Sequence, residues 1–403
     1  MRILHLTPYY HPAYAFGGVV RAAEGMAASL AAKGHQVTVL TTDALDQTTR
    51  SSEPAEETIN GVRILRRPNL STRLRGRLNL STPRSMKRAA VSILPSVDIL
   101  HVHEFRTVEN LLVTPVARAL GIPIVLSPHG TLNVSTGRGR LKTAWDRLLS
   151  PAVARRIDHV VALTETELSE VTEMWARFGK RQKPTNFSVI PNGVHLQEFT
   201  GLPSDARFRR RNGLGNAPTV LFLGRLQARK GVDVLVRAFQ RAKVEDARLL
   251  IVGPDEGILS QVRALAAGDS RIVCTGYLGS DERLEALAAS DVFALPARGE
   301  GLSVAVLEAL AAGLPAVISP GCNMPEVETA GAGFVADATA DAVAVKLRDL
   351  LVDADLRARM GVAARQLVAE RYTWERVGNQ LELVYQQVLN SNRSEKAPLI
   401  VDG

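Results

Sequence analysis

A chain of 403 residues, 46% of them hydrophobic, is long enough for two domains with a core each. Only two cysteines occur, Cys274 and Cys322, without metal-like spacing; they imply no disulfide framework and suit a reducing cytosol. The net charge of +8 is uneven, with 25 Lys/Arg against 16 Asp/Glu in residues 1–200 and 24 against 25 in residues 201–403.

In chain order, Arg2–Leu6 reads as a buried strand, too short an apolar run before Pro8 for a signal peptide. A Gly17-Gly18 loop, a helix over Val20–Lys33 with Gly34 as its C-cap, and a strand over Gln36–Thr41 follow. Arg63–Arg88 then carries nine basic residues and no acidic one: Arg63, Arg66, Arg67, Arg73, Arg75, Arg77, Arg84, Lys87 and Arg88, interleaved with leucines. Such a segment can lie on an anionic membrane surface or hold an anionic acceptor, and it can equally be a solvated loop and helix face. Nucleic acid fits less well, because the segment has no aromatic side chain to stack on a base.

Apolar strands continue at Asp98–Val102, Ile122–Ser127 and His159–Leu163, with helical segments between them. That alternation implies a parallel, doubly wound sheet. After Ser188–Ile190 and the Pro191-Asn192-Gly193 turn, the Arg-rich stretch Thr200–Asn216 interrupts the pattern. A second series then runs through Thr219–Leu223, the helix Val232–Ala242, Arg248–Val252 and Arg271–Thr275 to Gly333–Ala336. The expected domains are 1–198 and 199–371, with a last helix from about Glu375 to Leu389 and a loose tail over 391–403. Gly301–Gly321 is membrane-like in hydropathy, but Gly313 and Pro315 break it into a helix and a strand too short to span.

Candidate site residues lie just after predicted strands, where doubly wound sheets bind ligands. In Pro296–Ala312, Glu300 stands before an apolar helix and Glu308 inside it, with the amides near Leu302 and Ser303 at the helix N-terminus. Amides there, reinforced by the helix dipole, suit a phosphate, and a carboxylate on either side suggests a sugar nucleotide. Arg225 and Lys230 supply a planar fork and a point charge for a diphosphate. Gly17 and Gly18 let backbone approach a phosphate or sugar, and His129 follows the strand Ile122–Ser127. His101 and His103 share one strand face without a third ligand type nearby, so a metal site is not expected there. Asp353-Ala354-Asp355 formally spells a metal-binding Asp-x-Asp, yet it sits in a charged helical stretch away from any strand end. No metal or other cofactor is therefore expected: the cations and helix amides can stabilise a departing diphosphate.

Glu300-x7-Glu308, with Gly17-Gly18, Pro128-His129-Gly130, Pro191-Asn192-Gly193-Val194, Gly224-Arg225-Leu226 and Lys230-Gly231 in that order, closely resembles the family-4 retaining glycosyltransferases. The resemblance runs from Met1 to about Leu389 and implies an α/β GT-B fold, two Rossmann-like domains facing a central cleft. It implies that the last helix, about 372–390, crosses back onto the first domain. It also implies transfer of a sugar, with retention, from a nucleoside-diphosphate sugar to a glycan or lipid-linked saccharide. His129 and Glu300 would flank the donor sugar, Gly18 would lie near the donor phosphates, and Tyr277-Leu278 would hold the base. Glu308 would hold the ribose. Whether Glu300 is a nucleophile or supports a front-face transition state stays open. On the acceptor side stand Gly17, Arg73, Arg75 and Arg77, together with His103, for which a core role is an equal alternative. His195 departs from the family, which usually has Asp after Asn-Gly-Val. The expected location is the cytoplasm, including the inner face of its membrane.

Three rivals remain. An epimerase of the same fold would convert the donor alone, and a non-catalytic sugar-nucleotide-binding protein would do no chemistry. A nicotinamide dehydrogenase with Asp43 as its ribose acid lacks the Gly-x-Gly-x-x-Gly spacing in the first loop.

Overall fold

The buried apolar runs pair into two separate sheets. The computed structural model describes residues 1–71, 74–75, 80–132, 139–178 and 186–396. It divides into one unit of Met1–Asn192 with the segment from Trp374 onward, and a second of Gly193–Thr373.

The first sheet contains β1 (Arg2–Leu6), β2 (Gln36–Thr42), β3 (Glu56–Ile59), β4 (Val62–Arg67), β5 (Ile99–His103), β6 (Ile124–Ser127), β7 (His159–Ala162) and β8 (Asn186–Val189). Their order is β3-β4-β2-β1-β5-β6-β7-β8. Only β3 runs antiparallel to its neighbour. The chain leaves β1 towards β2 on one side and returns to β5 on the other, so β1 and β5 flank a topological switch point. Side chains alternate between two cores, as a sheet covered on both faces requires. Leu4, Leu6, Leu100, Val102 and Leu126 pack with Phe105 and Trp175. Ile3, Ile99, Val125 and Val161 pack with Met26, Val377 and Tyr385.

The C-terminal helix, Trp374–Lys396, supplies Val377 and Tyr385 to that second core. It packs on the helix Gly18–Ala32, where a side chain at Gly25 would collide with the Trp374 ring. Residues 391–396, expected to be loose, continue this helix, because Val388 is still buried at the end of the expected helix.

The arginine-rich segment also differs from its expectation. Arg63, Arg66 and Arg67 belong to β4, which pairs with β3 so that Glu56 and Glu57 stand opposite Leu65 and Ile64, within side-chain reach of Arg63 and Arg66. Arg63 pairs with Glu56 at 2.6 Å and buried Arg66 with Glu57 at 2.5 Å. Acids absent from the segment are thus supplied by the neighbouring strand. Arg75 is completely buried and donates to the Thr49 carbonyl at 2.7 Å, so it is not a solvated cation. Arg73 and Arg77 lie outside the described residues.

The second sheet contains β9 (Thr219–Leu223), β10 (Arg248–Val252), β11 (Ile272–Gly276), β12 (Val292–Leu295), β13 (Ala316–Ile318) and β14 (Gly333–Val335). All its pairings are parallel, in the order β11-β10-β9-β12-β13-β14. Its switch point falls between β9 and β12. Gly301–Gly321 is a core segment of this unit. Among the described residues no helix is long and apolar enough to cross a membrane.

Candidate active site

In the second unit, the loops after β9 and β12 leave adjacent strand ends and touch. Gly231, at φ 69°, makes the contact possible, because a side chain there would run into the Pro296 carbonyl. The Arg298 amide donates to the Arg229 carbonyl at 2.7 Å and ties the two loops together. Lys230 Nζ thereby reaches Glu300 Oε2 at 2.6 Å, with the lysine side chain 10% exposed and the glutamate 8%. Arg229 stands 3.7 Å from the other carboxylate oxygen. The Glu300 backbone is gripped from the β13 side: its amide donates to Gly321 O at 2.7 Å, and Asn323 Nδ2 donates to its carbonyl at 2.6 Å.

Leu302 and Ser303 are buried at the start of the helix Val304–Ala312. Ser303 occupies the N-cap but its side chain makes no capping hydrogen bond. Glu308 is buried on this helix, its Oε1 3.0 Å from Arg283 Nη1. Arg283 also donates to Glu198 at 3.1 Å and lies over the Phe199 ring. Glu308 is therefore held by a buried cation. Arg225, half-exposed, donates to Glu256 at 2.8 Å. Tyr277 is exposed and Leu278 half-buried just beyond β11. Asp353 caps the helix Ala354–Arg371 by accepting from the Leu356 amide at 2.8 Å.

In the first unit, Gly17 sits at φ 93° and Gly18 opens the helix Gly18–Ala32. His129 follows β6 in a left-handed turn, φ 56°, with Gly130 at φ 71°. That turn is held by Glu167, whose carboxylate accepts from the Gly130 amide and, at 2.7 Å, from the Leu163 amide. Burial pushes the Glu167 carboxyl up to about 7 against those two amides. His129 Nε2 lies 2.8 Å from His103 Nδ1, and His103 Nε2 lies 2.8 Å from His5 Nδ1. Burial lowers His129 and His5 to about 3 and His103 well below the usual histidine range. All three rings are neutral near pH 7.

Sequence reasoning missed His5, Glu167, Arg229, Arg283, Asn323 and Glu256. His5 corrects the expectation that His101 and His103 have no third ligand beside them: one ring nitrogen from each of His5, His101 and His103 lies within 4.8 Å of the other two. A histidine inside the apolar run of β1 was the available signal. Arg283 gave none, since it reads as one cation among the acids of a surface helix.

Two doubly wound units are what the GT-B resemblance implies, and the second joins a carboxylate and a lysine at its switch point. Residues 204–367 match the family model of the group 1 glycosyl transferases, and residues 17–193 that of a glycosyl transferase 4-like domain. The chain belongs to the group 1 glycosyltransferases of the family-4 type. A GDP-mannose-dependent alpha-(1-6)-phosphatidylinositol monomannoside mannosyltransferase of Mycobacterium tuberculosis is 34% identical over 288 residues, 67% of this chain and 71% of that protein. Among solved structures, sucrose-phosphate synthase from Thermosynechococcus elongatus superposes with a TM-score of 0.77 at 20% identity, over 97% of this chain and all of that one. HepE of Anabaena, in complex with UDP and glucose, gives 0.74 at 17% identity, over 96% of this chain and 99% of its own.

Proposed function

We propose that this chain is a retaining hexosyltransferase that takes its sugar from a nucleoside-diphosphate sugar and passes it to a glycolipid acceptor, without a metal ion. The observation that carries the donor assignment is the Lys230–Glu300 pair, in the loop after β9 that also carries Arg225 and the loop after β12 that leads into the helix Val304–Ala312. Lys230 and Arg225 would neutralise the diphosphate as charge grows on it, and Glu300 would support the sugar as its glycosidic bond breaks. Glu308, steadied by Arg283, would receive the ribose hydroxyls. His129 of the first unit is assigned to the transferred sugar through the family resemblance. Metal independence is supported by these cations and by the capping role of Asp353. The glycolipid acceptor rests on the mannosyltransferase relative, whose dependence on GDP-mannose makes that sugar nucleotide the first donor to test. Attachment to the inner face of an anionic membrane is part of the same proposal.

The test is a panel of nucleotide sugars, GDP-mannose and UDP-glucose among them, incubated in chelator with and without a phosphatidylinositol mannoside. The product's anomeric proton coupling is read by NMR. Acceptor-dependent transfer with the donor's own configuration is expected. Inversion contradicts the retaining assignment, and conversion of the donor in the absence of acceptor points to an epimerase.

A further inference from the structure

Four buried histidines gather on one face of the first sheet. His5 on β1 and His101 on β5 are direct partners in register, and His103 lies two residues further along β5 on the same face. His129 continues the series at the carboxyl edge, beyond β6. The His5, His103 and His129 rings follow one another with centroids 5.1 Å apart at both steps and planes inclined by 19° and 14°. Each step is also a nitrogen-to-nitrogen contact of 2.8 Å. His101 lies alongside, its nitrogens taken by Tyr385 Oη at 2.5 Å and Ser127 Oγ at 2.8 Å.

Three of these rings have the mutual spacing of a metal site, but their nitrogens are already in use. Of the six nitrogens on His5, His101 and His103, five are hydrogen-bonded, and only His5 Nε2 has no partner among the described residues. A cation would have to break those contacts to gain its ligands. A hydrogen-bonded array accounts for the geometry without that cost.

A neutral imidazole donates through one nitrogen and accepts through the other. Each ring-to-ring contact needs one proton between its two nitrogens, and two protons or none would be repulsive. The three rings must therefore carry their protons on the same nitrogen, all on Nε2 or all on Nδ1. Reversal takes one proton in at His129 Nδ1, passes one across each contact and releases one at His5 Nε2, leaving every ring neutral. His129 Nδ1 is buried and unpartnered among the described residues, the one atom of the array's outer end left for a ligand.

We propose that His5 and His103 are positioning residues: they set which nitrogen of His129 carries the proton, so that His129 Nδ1 meets a hydroxyl of the transferred sugar in a defined hydrogen-bonding sense. This rests on the assignment of His129 to the sugar. His5 acts across two contacts and touches no substrate.

The experiment uses the full chain with ¹⁵N-labelled histidine, read by ring nitrogen–carbon-proton correlation in wild type, His5→Gln and His5→Phe. In wild type the three rings are expected to show one common tautomer. Both substitutions should shift the His129 nitrogen resonances. They should lower kcat for sugar transfer by about tenfold, the size of one neutral hydrogen bond, with nucleoside-diphosphate affinity unchanged. Opposite tautomers in neighbouring rings would overturn the proposal. So would unshifted His129 nitrogens in the folded Gln variant, or a shifted tautomer with wild-type turnover. Absence of transfer by wild type with every donor contradicts the transferase reading instead, and the common tautomer is then still measured independently.

Discussion

Lys230 Nζ stands 2.6 Å from Glu300 Oε2, across a sequence separation of 70 residues and with both side chains nearly buried. The pair exists because β9 and β12 are neighbours in the sheet and the loop after each ends on the other. An arriving diphosphate would share the lysine with the glutamate that holds it in place. On the proposed function the carboxylate would then be fixed beside the bond that breaks, and the cation beside the group that leaves.

Removing one member of this pair leaves the other charge buried without its main partner. Lys230→Met or Glu300→Leu alone should destabilise the second unit by about 3 kcal/mol. Made together they should cost clearly less than the sum, since no charge is stranded. A double-mutant cycle by urea denaturation checks this, and additive losses would mean that the two charges are not coupled.

Gly231→Ala tests the contact that brings the loops together. Its φ of 69° and the collision with Pro296 O add up, so a loss of about 1–3 kcal/mol and weaker nucleoside-diphosphate binding are expected. Gly213→Ala is the control: its φ is 65°, but nothing lies within 4 Å of the added carbon. It should lose less stability and keep its nucleotide affinity, measured by thermal unfolding and calorimetry.

The strand–helix order and the segments bearing Glu300, Lys230 and His129 were legible in the sequence, because local apolar runs and turn residues encode them. What was illegible depends on strands that meet only in space. The β3–β4 hairpin hid because Ile64-Leu65 and Arg66-Arg67 break the alternation of Val62–Arg67, and one of these arginines, Arg66, is itself buried against Glu57. His5 and His103 are 98 residues apart, and neither announces the other. Arg283 reads as a surface cation until Glu308 arrives from the neighbouring helix.

Acid should unfold the first unit before ordinary carboxylate titration would. Burial lowers His5 and His129 to about 3, His159 to about 4, and His101 and His103 well below 6.5. Their unfolded counterparts take up protons near 6.5, so this stability is full above that pH and is lost as pH falls towards the folded values. At pH 5 each contributes a loss of at most about 2 kcal/mol. Glu167 has the opposite sign: raised to about 7, it favours folding below 4.5 and loses that effect as pH rises through 7. The five histidines outweigh the raised carboxyls and the raised histidine of this unit, Glu167 with Glu109 and His11. Denaturation midpoints at pH 5 and pH 7 should differ sharply, with proton uptake on unfolding at pH 5. Equal midpoints would show that the rings are not held neutral.

Membrane attachment, if it uses the basic segment, must use its exposed part. Arg66 and Arg75 are buried, whereas Arg84, Lys87 and Arg88 are exposed, as are Leu70, Leu74 and Val91. Each cation near an anionic surface is worth about 1 kcal/mol. Replacing Arg84, Lys87 and Arg88 with glutamine should reduce co-sedimentation with phosphatidylserine vesicles at low salt, leaving nucleoside-diphosphate affinity unchanged. Equal sedimentation of variant and wild type would assign these residues to a solvated face.

The most direct measurement of the central claim is release of nucleoside diphosphate from a donor sugar in chelator, with and without lipid acceptor. Wild type is compared with Glu300→Gln at a temperature where both remain folded. Acceptor-dependent release by wild type is expected, with turnover in the variant lower by at least about a hundredfold and nucleoside-diphosphate affinity retained. Release that ignores the acceptor, or equal turnover in the two proteins, would contradict sugar transfer at the Lys230–Glu300 site.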